Sequence, residues 1–362
     1  MWSPQQDAAL KAVVRWLRDP YGAQVFRIFG WAGVGKTTLA KEIATFVSGR
    51  VLYGAFTGKA ALVLRSKGCF DASTIHSLIY KAEELADGSA RFILNPNSLV
   101  ATAKLLILDE VSMVGHDLAH DVLSFGTRVL VLGDPGQLPP IRGTGYFTDT
   151  QPDVMLTEIH RQAADNPIIR MSMDVRAGKA LAIGNYGDSK VMTGRPDPAE
   201  VLASDQVLVG MNRTRRGCNN RIRQLKAFVG TLPQRGDRLV CLRNNRERCL
   251  LNGGLWTAKT ASQSDRIVNM EVMSEDDASM TKPVPVSVPE EFFHGEEEKL
   301  EIHKRRKFDE FDFGYALTVH KSQGSQWPSV MLFDESSVFR EHRARHLYTA
   351  ITRAADRITV VV

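Results

Sequence analysis

Three short stretches carry residue types suited to phosphate chemistry. Gly30-Trp-Ala-Gly33-Val34-Gly35-Lys36-Thr37 satisfies the pattern G-x-x-x-x-G-K-[ST]. Glycines at these positions let backbone N–H groups approach phosphate oxygens, and a helix starting there adds positive potential at its N-terminus. In that setting Lys36 pairs with the β- and γ-phosphates, Thr37 offers a hydroxyl to Mg²⁺, and Val34 and Thr38 belong to the same nucleotide loop. Leu105-Leu-Ile-Leu-Asp109-Glu110 is an apolar run ending in adjacent carboxylates. Asp109 suits Mg²⁺ held through water, and Glu110 suits polarising an attacking water. In "LGDPGQLPPI", Leu132 to Ile141, Gln137 stands where a polar side chain senses a γ-phosphate. Singly, each has a plainer reading: a Gly-rich turn, an acidic strand end, a Pro/Gly turn. Their order and context favour ATP chemistry.

These residues need elements to hold them. Residues 4–18 read as a helix, with Ser3 as N-cap and Pro4 in its first turn. "VFRIF", "VLYGAF", "KLLILDE" and "RVLVLGD" are short apolar strands, alternating with helical stretches such as "KTTLAKEIATFV" and "HDLAHDVLSF". That alternation predicts a parallel sheet covered on both faces. A second strand–helix series follows, ending in "RITVVV". Residues 232–312 differ: short β-like runs separated by Asn/Gly turns, then a Pro- and Glu-rich stretch. The expectation is α/β, with residues 1–150 as one domain, 151–231 and 313–362 as a second, and 232–312 as a small β-barrel inserted into it. A shorter insertion spans 81–103.

Composition sets outer limits. The net charge of +5 permits a nucleic-acid partner without proving one. Cys69, Cys218, Cys241 and Cys249 are scattered with no C-x-x-C pair, which disfavours structural zinc and a disulfide framework. No apolar run approaches the ~20 residues of a membrane span. "MWSPQQDAAL" lacks the segments of a signal peptide, so the expected location is the cytoplasm, of a bacterium or a phage-infected cell.

Further motifs follow in order: "SPQQ", "FTGKAALVLRSKG", "ASTIHSLIY", "LTEIHRQ", "GYALTVHKSQGSQW" and "LYTAITRA". With the three stretches above they span nearly the whole chain, which resembles superfamily 1 DNA helicases of the RecD-like, Dda-like branch. The resemblance implies two RecA-like P-loop domains, ATP and Mg²⁺ between them, and single-stranded DNA as partner, met at a single-strand/duplex junction. It implies 5′-to-3′ polarity, which nothing in composition or spacing indicates. Gln6 resembles the glutamine that reads adenine. Arg161 and Arg353 resemble two arginines that reach the γ-phosphate; singly, each reads rather as a surface ion pair, and the matched motifs favour catalysis. Thr57, Gly58, Lys59 and His76, and Thr318, His320, Lys321 and Ser322, resemble residues that hold the strand. Either histidine also reads as a satisfied core residue. Gly324, with Gln323, matches the hinge between ATP site and DNA channel.

In the same resemblance, 81–103 matches a strand-separating pin (domain 1B) with Phe92 as wedge or as core, and 232–312 an SH3-like insertion (domain 2B). Arg213, Arg215, Arg216, Arg221 and Arg223 line a phosphate track or form a solvated helix face. "HKRRK" at 303–307 and the acidic "FDEFDF" read as charge-balanced surface. Two departures stand out. Gln326 replaces an acidic residue thought to contact ribose, and the N-terminal extension of longer members is not expected. The resulting expectation is an ATP-dependent DNA helicase with possible replication or recombination partners. The rivals are an RNA helicase, a translocase or nuclease motor subunit, and a regulatory P-loop ATPase that binds a protein.

Overall fold

The computed structural model describes all residues except Met1, 85–89, 141–142, 159–165, Arg246 and 302–304. Helix α1 (Pro4–Arg18) starts as its residues dictate. The Ser3 hydroxyl accepts from Gln6 N, the Gln6 side chain accepts from Ser3 N, and Pro4 needs no N–H partner. Ala9, Leu10, Val13 and Trp16 recur at helical spacing and are buried.

The chain divides into two units, Met1–Arg170 and Met171–Val362. In the first, strands β1 (Val25–Gly30), β2 (Val51–Ala55), β3 (Ser73–Thr74), β6 (Leu105–Asp109), β7 (Val129–Gly133) and β8 (Val154–Leu156) form one sheet in the order β3-β2-β6-β7-β1-β8. Every pairing is parallel. Leu105–Leu108 of β6 and all of β7 are buried, as a sheet covered on both faces requires. Because β8 adds to β1, the first unit runs past residue 150, where the sequence placed its end. Strands β4 (Tyr80–Glu84) and β5 (Ala90–Leu94) make a separate two-stranded hairpin.

The second unit has its own sheet. Strands β9 (Gly184–Tyr186), β10 (Ser189–Met192), β11 (Gln206–Val209), β17 (Ala316–Thr318), β18 (Trp327–Phe333) and β19 (Ala354–Val361) lie in the order β17-β11-β18-β19-β10-β9. Only β9 is antiparallel to its neighbour. Between β11 and β17 the chain builds a five-stranded antiparallel sheet from β12 (Arg238–Cys241), β13 (Leu255–Ser264), β14 (Ile267–Ser274), β15 (Val284–Pro289) and β16 (Phe311–Phe313). Its order is β15-β14-β13-β12-β16, and Asp309 N donates to Ser287 O at 2.9 Å, linking β15 to the residues that enter β16. The sheet thus curls toward closure through a hydrogen bond beside its edges. Phe313 pairs with Leu239, so the inserted sheet reaches one residue past the expected 312. Val207, Val209 and Ile222 share one core with Trp256, Met270 and Phe311, fastening the insertion to the parallel sheet.

Candidate functional site

In the first unit the parallel strands end on one edge, where ligands of α/β sheets bind. The loop after β1 leads into helix α2 (Lys36–Thr45), with Gly33 at φ 83° and Gly35 at φ 78°, left-handed values that glycine adopts without strain. Gly30 is required for another reason: a Cβ there would lie 2.7 Å from Val34 Cγ2 and 2.9 Å from Leu156 Cβ. Lys36 Nζ donates to the carbonyls of Gly30 (2.7 Å) and Trp31 (3.0 Å), so its charge sits inside the loop. Thr38 is exposed in the first turn of α2.

Thr37 Oγ1 donates to Asp109 Oδ2 at 3.0 Å, and Glu110 N donates to Asp109 Oδ1 at 2.8 Å. Glu110 has φ 54°, a strained value for a non-glycine residue of the kind kept at functional positions. Burial, then the Glu110 carboxylate, pushes the Asp109 carboxyl up, while Lys36, the Glu110 N–H and the Thr37 hydroxyl pull it down. A hydroxyl and a carboxylate are the hard oxygen donors Mg²⁺ prefers, and Mg²⁺ takes few protein ligands beside substrate phosphates. Among the described residues no group of three or more His, Cys, Asp or Glu side chains forms a metal cage. The donor set therefore fits Mg²⁺ bound with a nucleotide. Gln137 is buried and its Oε1 has no hydrogen-bond partner, an acceptor suited to a water O–H.

Gln6 is buried, and its Nε2 donates to Val34 O at 2.9 Å, tying α1 to the nucleotide loop. Its neighbour Gln5, which the sequence reading passed over, accepts from Thr157 N (2.7 Å) and Glu158 N (2.9 Å). Arg161 lies outside the described residues.

One strand over, Ala55 of β2 pairs in register with Asp109 of β6. Immediately beyond Ala55, Thr57 caps helix α3 (Gly58–Ser66) by accepting from Ala60 N at 3.1 Å, and Gly58 and Lys59 are buried in its first turn. His76 is exposed, its ring near Phe56 (6.1 Å) and Tyr80 (5.6 Å), so it is not a core histidine. Phe92, opposite Ala82 on the hairpin, is 65% exposed. That exposure rules out the core alternative.

In the second unit, Thr318 ends β17 and its Oγ1 accepts from Lys321 N at 3.3 Å, while Ser322 N donates to Thr318 O at 3.0 Å. Gly324 takes φ 75° in the same loop. His320 lies 5.4 Å from the Phe339 ring, and burial, then His342, pulls its pKa down. Lys321 is exposed as a residue, yet desolvation around its ammonium, and then Arg215, pushes its pKa down to about 8. Arg353 is buried, and its guanidinium donates to Thr349 O (3.1 Å), Ser325 O (3.1 Å) and Thr352 Oγ1 (3.2 Å). The 318–325 loop and Arg353 therefore share one hydrogen-bond network. Gln326 donates to Ala354 O at 3.4 Å.

Residues 1–195 match the family described as an AAA domain, and residues 313–361 match the UvrD-like helicase C-terminal domain. The chain is 29% identical over 368 residues to the ATP-dependent RecD2 DNA helicase of Deinococcus radiodurans, covering 93% of this chain and 46% of that protein. It is 34% identical over 167 residues to the ATP-dependent DNA helicase dda of Enterobacteria phage T4, covering 42% and 38%. The chain belongs to the AAA-domain family, in the RecD/Dda-like branch of superfamily 1 helicases. It spans less than half the length of both curated relatives. A structure of Pif1 helicase from Bacteroides in complex with ADP-AlF3 and ssDNA shares the fold, with a TM-score of 0.61 at 15% identity over 99% of this chain and 92% of that one.

Within this superfamily 1 frame, some sequence expectations need correction. Arg215 pairs with Asp312 at 2.6 Å and Arg223 with Asp237 at 3.0 Å, all four side chains buried, so neither arginine is free for a phosphate track. Arg213, Arg216 and Arg221 remain exposed. The acidic stretch read as surface is interior: Asp309, Glu310 and Asp312 are buried and pair with Arg248, Arg243 and Arg305, and Arg215. All four cysteines are free; Cys69 and Cys241 pack in the interior, Cys218 is half-buried and Cys249 is exposed. No helix among the described residues is long and apolar enough to cross a membrane.

Proposed function

We propose that the chain is an ATP-dependent DNA helicase that moves 5′ to 3′ on single-stranded DNA. The observation that carries this reading is the register of Ala55 with Asp109. It sets the strand-holding candidates Thr57–Lys59 one strand away from the carboxylate suited to Mg²⁺, on the same sheet edge. A change at Asp109 or Glu110 has a short, rigid route to those residues.

In this reading Gly33, Gly35 and Lys36 cradle the phosphates, Thr37 and Asp109 hold Mg²⁺, and Glu110 with Gln137 orients the attacking water. When bound, Mg²⁺ neutralises charge on the phosphates. Lys36 would exchange its loop carbonyls for phosphate oxygens. Arg353, and Arg161 with it, would stabilise charge developing on the transferred group. To do so Arg353 must exchange hydrogen bonds that include Ser325 O, which makes the 318–325 loop sensitive to the nucleotide. Movement needs each nucleotide state to hold DNA with a different affinity, since equal affinity shifts nothing. Gln6 acts by fixing Val34, with adenine recognition as the second part of its role. Phe92 serves as the wedge at a single-strand/duplex junction, and the curled five-stranded sheet as the SH3-like insertion. The place of action is the cytoplasm, with replication or recombination proteins as partners.

Steady-state ATP hydrolysis with oligo-dT, oligo-U or no strand tests this. Strong stimulation by oligo-dT, absent in Lys36→Ala, is expected. Equal stimulation by oligo-U would transfer the reading to RNA, and no stimulation by either would end it.

A further inference from the structure

Residues 335–345, "ESSVFREHRAR", match no motif in the sequence, yet they sit against the strand-holding loop. The Glu335 carboxylate accepts from Gly210 N (2.8 Å), Met211 N (2.9 Å) and the Thr214 hydroxyl, which pins the segment to the end of β11. Gly210 leaves no room for a side chain: a Cβ would lie 2.8 Å from Glu335 Cβ and 3.1 Å from Phe339 Cε2. Strands β17 and β18 both pair in parallel with β11, so the residues following all three emerge at one edge. Phe339 then stacks on His346 at 4.1 Å and meets His320 at 5.4 Å.

Around this contact arginines outnumber carboxylates, three to the two of Glu335 and Glu341. Arg340, Arg343 and Arg345 are exposed, and none pairs with a carboxylate of the described residues. Among the described residues, the one ion pair on the segment joins His342 to the exposed Glu341, at 3.7 Å. Arg343 and Arg345 occupy the first turn of helix Arg343–Ile351, which holds no acidic residue. Cations there oppose the helix dipole, so the fold alone gives no reason for them. His346, the next residue of that helix, is fully buried beneath the Phe339 ring, and neither of its ring nitrogens has a hydrogen-bond partner among the described residues.

We infer that Arg340, Arg343 and Arg345 form a second phosphate grip for single-stranded DNA, continuous with His320 and Lys321. This inference rests on the DNA-motor reading above. The arginines neutralise successive phosphates without reading bases, and Phe339 couples their segment to the strand-holding loop.

The test is fluorescence anisotropy of labelled oligo-dT with the whole chain across a salt series. For Arg340→Ala/Arg343→Ala/Arg345→Ala, the slope of log affinity against log salt should shrink by about 2, at about 0.7 per lost contact. Affinity at moderate salt should fall at least about tenfold with it. The triple lysine variant should keep most of the slope. The alanine variant should melt no lower than the wild type, because removing those cations relieves the dipole conflict. Wild-type binding with an unchanged slope in the alanine variant would overturn the grip and leave the motor reading standing. Failure of the wild type to bind oligo-dT would overturn both.

Discussion

The edges of the two parallel sheets differ in how fully their polar atoms are engaged. At the first, the Lys36 ammonium rests on two loop carbonyls, Gln137 Oε1 is buried without a hydrogen bond, and Glu110 sits in a strained backbone. In the second unit, Thr318 and Ser322 close a tight turn after β17, and Arg353, just before β19, is bonded to three partners. The first edge is built to receive a ligand. In the second, the donors of Arg353 are already engaged with protein oxygens.

Removing Arg353 should have the largest effect. Arg353→Ala should lower kcat for DNA-stimulated ATP hydrolysis by about 10³-fold, the scale of an arginine that stabilises phosphoryl transfer. Oligo-dT binding measured without nucleotide should persist. If hydrolysis is unaffected, Arg353 is a structural arginine and the contrast between the edges collapses.

A second test separates arginines that hold the fold from those that do not. Arg223→Ala leaves Asp237 buried without its cation and should cost about 3–5 kcal/mol in denaturant unfolding. Arg221→Ala, exposed on the same helix, should cost less than about 0.5 kcal/mol. Equal costs would place Arg223 among the solvated residues.

The smallest effect concerns Lys321. With its pKa near 8, it carries full charge well below pH 8 and loses it as the pH rises through that value. Arg215 adds to the depression, while Asp312, Glu297 and Cys241 oppose it. Oligo-dT affinity should therefore weaken a few-fold between pH 7 and 9, about one phosphate contact's worth, and Lys321→Arg should flatten that profile. A profile that stays steep in the arginine variant would assign the titration elsewhere.

What the sequence made legible was local. The nucleotide loop, the paired carboxylates and the Gln137 turn each lie within a few residues, and the alternating strands that carry them follow from short-range patterning. The fate of the arginines on helix Asn212–Leu225 was half legible. Arg215, Asn219, Ile222 and Arg223 recur at i, i+4, i+7 and i+8, which puts two arginines on the face of a core isoleucine. Their partners were not, because Asp312 lies 97 positions from Arg215, and the acidic run that holds it looks like surface until that pairing is known. Residues 335–345 escaped notice for the same reason. Their meaning comes from Gly210 and His320, which only the sheet brings alongside.

The central claim is directional movement driven by ATP, and strand displacement from tailed duplexes measures it most directly. With ATP and Mg²⁺, a duplex carrying a 5′ single-stranded tail should be separated, while a 3′-tailed or blunt duplex should not, and Lys36→Ala should separate none. Displacement from the 3′-tailed duplex alone, or displacement that survives in Lys36→Ala, would contradict the account.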